Sequence, residues 1–173
     1  MSFLPICHIF ERAASYHYQF RGVSIIFTGT DNLGGDEGDL KTVQPHFFTT
    51  VPRLLEKVYE KIYNKGLALT GVKKKLFFWA LSLTEDYAYH KPIGGFKGKI
   101  ADKLIFSKWK EGLGGNLDLM VSGSAALQPR LTRVFAAAEI PVMEGYGLTE
   151  TSPVIAVNDQ RNKGFKIVTV GKP

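Results

Sequence analysis

Cysteine is nearly absent from this chain of 173 residues: Cys7 stands alone, so no disulfide can form within the chain. Such usage fits a reducing compartment. Because Cys7 sits in an apolar run, we expect it to be a small buried hydrophobic residue rather than a nucleophile. No apolar run approaches the roughly 18 residues of a membrane span. The first 20 residues carry His8, Glu11 and Arg12, which do not fit a secretory signal peptide.

Several functional motifs are also missing. The sequence has no Gly-x-Ser-x-Gly element of the kind that presents a nucleophilic serine. Its other histidines, His17, His46 and His90, have no metal-ligand spacing, so we predict no zinc site. Lysine and arginine exceed aspartate and glutamate by 22 to 16, a net charge of +6. A basic balance suits nucleic acid, anionic lipid or polyanionic nucleotides, but no arginine-rich tract appears, so we expect no nucleic-acid partner.

An alternation of strand and helix patterns dominates what is present. Apolar residues make up 45% of the chain and charged residues 22%, which allows a sizeable core in one domain. Leu117–Val121 reads as a strand, Pro129 begins a helix, and Ile140–Met143 is the next strand. The helix carries apolar residues along one face: Leu131, Val134, Phe135 and Ala138. This βαβ unit predicts an α/β fold with a mostly parallel sheet flanked by helices.

Both strands of this unit end in loops at the carboxyl edge of the sheet, where open α/β sheets bind ligands. We name them the small-residue loop (Ser122–Ala126) and the Gly-Tyr-Gly loop (Glu144–Pro153). The second carries two glycines, a ring, a hydroxyl and a carboxylate: Gly145, Gly147, Tyr146, Thr149 and Glu150. Glycine lets backbone approach a ligand, a ring can stack on a base, a hydroxyl can bond phosphate, and a carboxylate can hold Mg²⁺. These parts suit a nucleoside triphosphate with its metal, and an ordinary solvated turn is the alternative.

The rest of the chain also divides into short elements. We expect strands at Phe3–Cys7, Val23–Phe27 and His46–Thr49, and helices at His8–Phe20, Asp36–Val43, from Pro52, and at Ile100–Trp109. The first helix has four residues near one face: Ile9, Ala13, Tyr16 and Phe20. In the helix at Ile100–Trp109, Leu104 and Ile105 are expected to point inward.

The segment Val72–Leu83 allows two interpretations. Lysines occupy positions 73–75, and an almost continuous apolar run with three aromatic residues at 77–79 follows. A buried helix with a solvated lysine start is the default. The alternative is an interfacial helix, with lysines on anionic headgroups and the aromatic rings in the lipid boundary.

Four ordered motifs resemble one enzyme superfamily. Tyr146-Gly-Leu-Thr-Glu-Thr151 resembles the signature loop of the AMP-forming adenylating enzymes, which include acyl-CoA synthetases, luciferases and peptide-synthetase adenylation domains. Leu4-Pro-Ile-Cys-His-Ile-Phe-Glu-Arg12 resembles a motif of the long-chain fatty acyl-CoA synthetases. Val121-Ser-Gly-Ser-Ala-Ala-Leu127 resembles the adenine-side loop, and Val170-Gly-Lys-Pro173 resembles the Val-Gly-x-Pro that follows the signature loop. The Phe-Glu-Arg ending favours the long-chain group within the superfamily.

This resemblance implies a fold, a reaction and partners. Residues 1–173 are expected to be a fragment of a single AMP-binding (adenylation) domain, part of the N-terminal domain, without its phosphate loop and without the C-terminal domain. The implied enzyme is a long-chain fatty acid–CoA ligase that uses ATP, Mg²⁺ and CoA. The implied location is cytoplasmic, with peripheral contact at the inner face of a membrane as an open alternative. We expect the isolated chain not to adenylate.

The resemblance also assigns roles to two segments outside the Gly-Tyr-Gly loop. It places the backbones of Gly123, Ser124 and Ala125 along the adenine. It places His8 near the acyl and CoA side, with a satisfied histidine at a helix start as the alternative. Glu11, three residues later, is expected only to suit the positive start of its helix.

Within the Gly-Tyr-Gly loop, the resemblance implies that Tyr146 stacks on adenine between Gly145 and Gly147. It implies that Thr149 contacts the phosphates and that Glu150 holds Mg²⁺. The alternatives are a packed core aromatic for Tyr146 and a helix-capping acid for Glu150.

Three other functions stay open from the sequence alone. One is another adenylate-forming enzyme with a different acid or acceptor. A second is a non-catalytic nucleotide- or lipid-binding module. The third is a basic nucleic-acid binder, which predicts salt-sensitive binding that ATP does not compete.

Overall fold

A sheet with parallel strands forms the centre of the computed structural model, which describes residues 1–29, 32–34, 37–88, 93–159 and 165–171. The strands are β1 (Phe47–Thr50), β2 (Leu119–Ser122), β3 (Val142–Tyr146) and β4 (Ala156–Val157). They lie in the order β1-β2-β3-β4, with β1, β2 and β3 parallel and β4 antiparallel to β3. Asp36, Lys172 and Pro173 of the predicted elements and motifs lie outside the described residues.

The helices cover the sheet and in chain order are α1 (Ile9–Phe20), α2 (Asp39–Val43), α3 (Pro52–Ala68), α4 (Gly71–Ser82), α5 (Gly95–Ala101), α6 (Ser107–Gly112) and α7 (Pro129–Ala137). A π turn at Asp102–Phe106 joins α5 to α6, and a 3₁₀ turn lies at Thr149–Thr151. Proline occupies the first position of α3 and of α7, where its missing N–H costs no helical hydrogen bond.

The predicted βαβ unit is confirmed. Strands β2 and β3 pair in parallel through Met120 and Val142, and both side chains are fully buried. Helix α7 returns the chain between them and buries the predicted apolar face, since Leu131, Val134, Phe135 and Ala138 are each 1–3% exposed. Parallel strands that are buried in this way need apolar side chains on both faces. Because β2 and β3 run in the same direction, the loops that follow them emerge at the same edge of the sheet.

The face of α1 that carries Ile9, Ala13, Tyr16 and Phe20 is not its buried face, although Ile9 and Ala13 are half-buried. Tyr16 is 63% exposed and Phe20 is 87% exposed, whereas the residues that α1 buries are Glu11, Ser15 and Tyr18. The Tyr18 ring packs edge-on against Phe47 of β1, with ring centroids 5.3 Å apart. Helix α1 therefore docks on the sheet through polar side chains and one tyrosine, a face that an apolar periodicity cannot reveal.

Three smaller predictions are also corrected. The strands expected near Phe3–Cys7 and Val23–Phe27 reduce to one parallel bridge between Ser2 and Phe27. Cys7 is exposed rather than buried, because it lies in the turn before α1. Leu104 is 41% exposed while Ile105 is buried. Both lie in the π turn, whose extra residue per turn rotates the side chains away from their α-helical positions.

Helix α4 follows the default interpretation of its segment. Phe77 is 5% exposed, and Phe78 and Trp79 pack against the core. The Phe77 ring lies 5.8 Å from that of Trp109 in α6. An interfacial helix would need these rings at the surface, and the structure places them inward. Among the described residues, no helix combines the length and apolar character needed to cross a bilayer.

Candidate active site

A cleft of about 640 Å³ opens at the carboxyl edge of the sheet. Three segments line it: residues 4–5 and 8–11 around the start of α1, residues 123–124 of the small-residue loop, and residues 145–150 with 153–154 around the Gly-Tyr-Gly loop. Val51, directly after β1, completes the wall. The cleft therefore lies where consecutive parallel strands end, the usual ligand position in open α/β sheets.

The cleft brings together nearly all the residues that the sequence singled out. Its lining includes His8, Gly123, Ser124, Gly145, Tyr146, Gly147, Thr149 and Glu150. Ala125 is exposed and follows in the same loop, but it is not part of the lining. The individual roles of these residues stay predictions, while their convergence is a property of the fold.

Backbone contact closes the Gly-Tyr-Gly loop at Gly147. A Cβ atom at Gly147 would lie 1.6 Å from the carbonyl oxygen of Pro153, so only glycine fits there. Just beyond, the Ile155 N–H donates to the Tyr146 carbonyl at 2.9 Å, and the chain continues into β4. At Gly145 the nearest atom to an added Cβ is 3.7 Å away, an ordinary contact. Gly147 is therefore sterically required, whereas Gly145 has room for a side-chain carbon.

The polar side chains of the same loop divide into two groups. The Thr151 hydroxyl accepts from the Leu148 N–H at 2.9 Å and donates to the Pro153 carbonyl at 3.0 Å, so it holds the loop together. Thr149 and Glu150 are exposed and line the cleft. Tyr146 is 51% exposed at the cleft wall, so it is not a packed core aromatic. A ring, a hydroxyl and a carboxylate therefore remain available to a ligand.

Magnesium is the one metal that the sequence predicted, with Glu150 as its ligand. Among the described residues, no cluster of three or more histidine, cysteine, aspartate or glutamate side chains could hold a metal ion. Mg²⁺ at nucleotide sites usually takes one or two carboxylates and completes its coordination with substrate phosphates and water. A single exposed carboxylate at the cleft fits that mode of binding.

The small-residue loop is held close to α1. The Gly123 N–H donates to the Thr50 carbonyl at 3.2 Å, which continues the sheet by one residue. A Cβ atom at Gly123 would lie 3.0 Å from the ring of Phe10. Ser124 has a φ of 74°, a left-handed conformation that is unfavourable for residues other than glycine. Such strain persists where the surrounding structure fixes the backbone, and functional loops are a common place for it.

Glu144 lies in β3 at the start of the Gly-Tyr-Gly loop and ties this strand to the segment around the start of α7, and sequence reasoning gave it no role. Its carboxylate accepts from the Leu127 N–H at 3.2 Å and from the Thr132 hydroxyl at 3.5 Å. Only 6% of the residue is exposed, and burial raises the pKa of Glu144 despite these two hydrogen bonds. No short-range sequence pattern links residues 127, 132 and 144, so this contact appears only in the folded chain.

An α/β sheet with glycine-bearing loops, a ring and a carboxylate at its carboxyl edge is typical of the class of ligand-binding α/β domains. The comparison with known families agrees: the chain matches the AMP-binding enzyme family over residues 1–173. The chain belongs to that family.

Curated relatives lie in the long-chain acyl-CoA synthetase group. The chain is 38% identical to long chain acyl-CoA synthetase 3 of Arabidopsis thaliana over 100% of its length and 26% of that protein. It is 35% identical to the peroxisomal long chain acyl-CoA synthetase 6 of the same plant, over 92% of the chain and 22% of that protein. The human long-chain-fatty-acid–CoA ligase ACSBG2 is 30% identical over 99% of the chain and 27% of its own length. The chain thus spans about a quarter of the length of these relatives.

Solved structures show the same fold at lower identity. The adenylation domain of a carboxylate reductase from Mycobacterium chelonae superposes with a TM-score of 0.60 at 21% identity, covering 92% of the chain and 22% of that domain's chain. A two-domain fragment of the carboxylic acid reductase from Segniliparus rugosus, solved in complex with AMP, gives a TM-score of 0.62 at 20% identity, over 96% and 19%. The predicted α/β architecture is therefore confirmed as part of an adenylation-domain fold.

Proposed function

We propose that this chain is part of an AMP-forming long-chain fatty acid–CoA ligase and that its cleft binds Mg·ATP. The observation that carries the proposal is the convergence of eight predicted residues from three distant segments on one cleft. The names of the curated relatives, which are long-chain acyl-CoA synthetases and ligases, support the same assignment.

In the proposed reaction, a fatty carboxylate attacks the α-phosphorus of ATP, which gives acyl-AMP and releases pyrophosphate. The CoA thiol then attacks the acyl carbon and releases AMP, which leaves the thioester. Both steps depend on positioning and on neutralising charge that builds on phosphate and carbonyl oxygens. Bound magnesium would supply part of that neutralisation.

Each lining segment of the cleft has a role in the proposed reaction. The exposed face of Tyr146 stacks on the adenine, and the backbone of residues 123–124 lies along its edge. The Thr149 hydroxyl donates a hydrogen bond to a phosphate oxygen, and Glu150 provides the carboxylate for the metal. His8 lines the cleft, is exposed and makes no side-chain hydrogen bond at its helix start, and in this proposal it serves the acyl and CoA side.

The acid and the acceptor are the finer parts of the proposal. A long-chain fatty acid and CoA are favoured by the relatives' names and by the Leu4–Arg12 motif, which forms one rim of the cleft. Another adenylate-forming reaction would use the same nucleotide site with a different acid or acceptor. Because the remaining donors for the phosphates are expected elsewhere in a complete enzyme, we propose that residues 1–173 bind the nucleotide without turning it over.

The test is titration calorimetry of Mg·ATP into the purified chain and into Tyr146→Ala and Glu150→Ala. Matched controls are Tyr16→Ala and Glu60→Ala, which remove an exposed ring and an exposed carboxylate away from the cleft. We expect both cleft variants to lose most of the binding and both controls to keep it. Equal binding by all five proteins, or no binding by the folded wild-type chain, would contradict the proposed nucleotide site.

A further inference from the structure

Glu11 is the most deeply buried carboxylate among the described residues, with 0% of its surface exposed. It lies in the first turn of α1, where the sequence predicted only a favourable charge at a helix start. Its carboxylate accepts hydrogen bonds from the hydroxyls of Ser2 and Thr49. Burying a charged group is costly unless donors replace the lost water, and these two hydroxyls supply such donors to the Glu11 carboxylate.

The hydrogen bond from Thr49 ties α1 to β1 of the sheet, and the one from Ser2 ties α1 to the N-terminal segment that bridges to Phe27. Thr49 belongs to β1 and pairs with Val121 of β2, two residues before Gly123. Glu11 also forms part of the cleft floor, one residue after Phe10 and three after His8. The carboxylate therefore links β1 to the turn of α1 that follows His8.

The fit of α1 on the small-residue loop is tight. The Phe10 ring occupies the space beside Gly123, where even a single added carbon would come within 3.0–3.2 Å of three ring atoms. A shift of α1 by a fraction of an ångström would either press this ring on the loop or open a gap beside it. The position of the first turn of α1 thus sets the shape of the cleft at Gly123.

We propose that Glu11 is a positioning residue of the cleft: held by Ser2 and Thr49, its buried carboxylate fixes the first turn of α1 and so places His8 and Phe10 relative to Gly123. The inference rests on the proposed function where it concerns nucleotide affinity. The restraint on α1 itself stands on the geometry alone.

The test replaces a donor rather than the buried carboxylate, so that the fold is kept. Thr49→Val removes one hydrogen bond to Glu11 at nearly constant volume, and Thr49→Ser restores the hydroxyl. The matched control is Thr50→Val: Thr50 is the next residue of β1, is equally buried, and its hydroxyl has no hydrogen-bond partner among the described residues. Glu11→Gln, which keeps the size of the side chain and removes its charge, is the second variant.

Two measurements are made on each protein: hydrogen exchange by mass spectrometry and Mg·ATP affinity by calorimetry. For Thr49→Val we expect exchange in residues 8–14 to become about tenfold faster, as loss of one hydrogen bond to a charged group implies. Exchange in α7 should stay unchanged, and affinity should fall by a similar factor. Thr49→Ser should recover both values, Thr50→Val should match the wild type, and Glu11→Gln should follow Thr49→Val in direction.

The outcomes separate the two proposals. Thr49→Val and Thr50→Val with the same exchange in residues 8–14 would overturn the restraint on α1. Faster exchange in α1 with unchanged affinity would overturn its link to the cleft. Equal acceleration in α1 and α7 would mean a general loss of stability, which also overturns it. A wild-type chain that binds no Mg·ATP would contradict the proposed function, while the exchange comparison would still decide whether Glu11 restrains α1.

Discussion

Replacing Gly147 by alanine is the most direct way to test the geometry of the Gly-Tyr-Gly loop. The new Cβ atom would lie 1.6 Å from the Pro153 carbonyl oxygen and 3.0 Å from the Cα atom of Val154. Both neighbours are backbone atoms, so no side chain can rotate away to make room. The segment that follows the 3₁₀ turn must therefore move as a whole.

The size of the effect follows from that distance. Real Cβ contacts are essentially never shorter than 3.0 Å, so the two segments must separate by about 1.4 Å, an overpacking that typically costs about 1–3 kcal/mol. A separation of that size also breaks the hydrogen bond from the Ile155 N–H to the Tyr146 carbonyl, now 2.9 Å. For a chain of this length, a loss of about 2 kcal/mol lowers Tm by roughly 4–8 °C. Because Tyr146 and Glu150 flank the displaced backbone, Mg·ATP affinity should fall as well.

The assay is a thermal melt of Gly147→Ala beside Gly145→Ala, followed by calorimetry with Mg·ATP. Gly145 is the matched control for the fold, because an added Cβ there meets Val157 and Ala156 only at 3.7–3.8 Å. We expect Gly145→Ala to melt within about 1 °C of the wild type, since surface changes without a steric clash cost little. A Gly147→Ala protein that melts together with Gly145→Ala would refute the close approach of the loop to Pro153.

Three further predictions follow from the buried and strained positions. Burial raises the pKa of Glu144 above its ordinary 4.5, so the folded chain keeps a proton that the unfolded chain releases, and stability falls as pH rises through that interval. Glu144→Gln removes this loss, so its Tm should rise relative to the wild type as the pH increases above 4.5. A difference in Tm that stays constant with pH would argue against it. Ser124→Gly relieves the left-handed backbone and should raise Tm by roughly 2–4 °C, for about 1 kcal/mol, and a lower Tm in a melt would contradict the strain. Tyr18→Ala should cost about 3 kcal/mol and Phe20→Ala less than about 0.5 kcal/mol in urea unfolding, and the reverse order would contradict the burial of Tyr18 by α1.

The βαβ unit could be predicted because its signals are local. The apolar spacing in α7 and the short apolar runs of β2 and β3 each fix an element within a few residues. Since such strands pair in parallel, the placement of two loops at one edge follows from connectivity. The convergence of Gly123, Tyr146 and Glu150 on one cleft was therefore within reach of the sequence.

Helix α1 shows where sequence reasoning stopped. Four of its residues fall near one face in the sequence, yet the residues that the fold buries include a glutamate and a serine. Whether a carboxylate can be buried depends on which donors face it, and the donors to Glu11 come from residues 2 and 49. The same holds for Glu144, whose partners lie 12 and 17 residues away.

The class of fold, the family motifs and the residue types at the cleft could be read from the sequence, because strand and helix periods and loop composition are properties of neighbouring residues. Tertiary structure alone decided that Gly147, and not Gly145, is sterically required, that Thr151 is used within the loop while Thr149 faces the cleft, and that Glu11 is a buried anchor. Each of these depends on a distance that the folded backbone sets, whether within the Gly-Tyr-Gly loop or, for Glu11 and Thr49, across 38 residues of sequence. Packing and hydrogen bonding set such distances only when the whole sheet and its helices are in place.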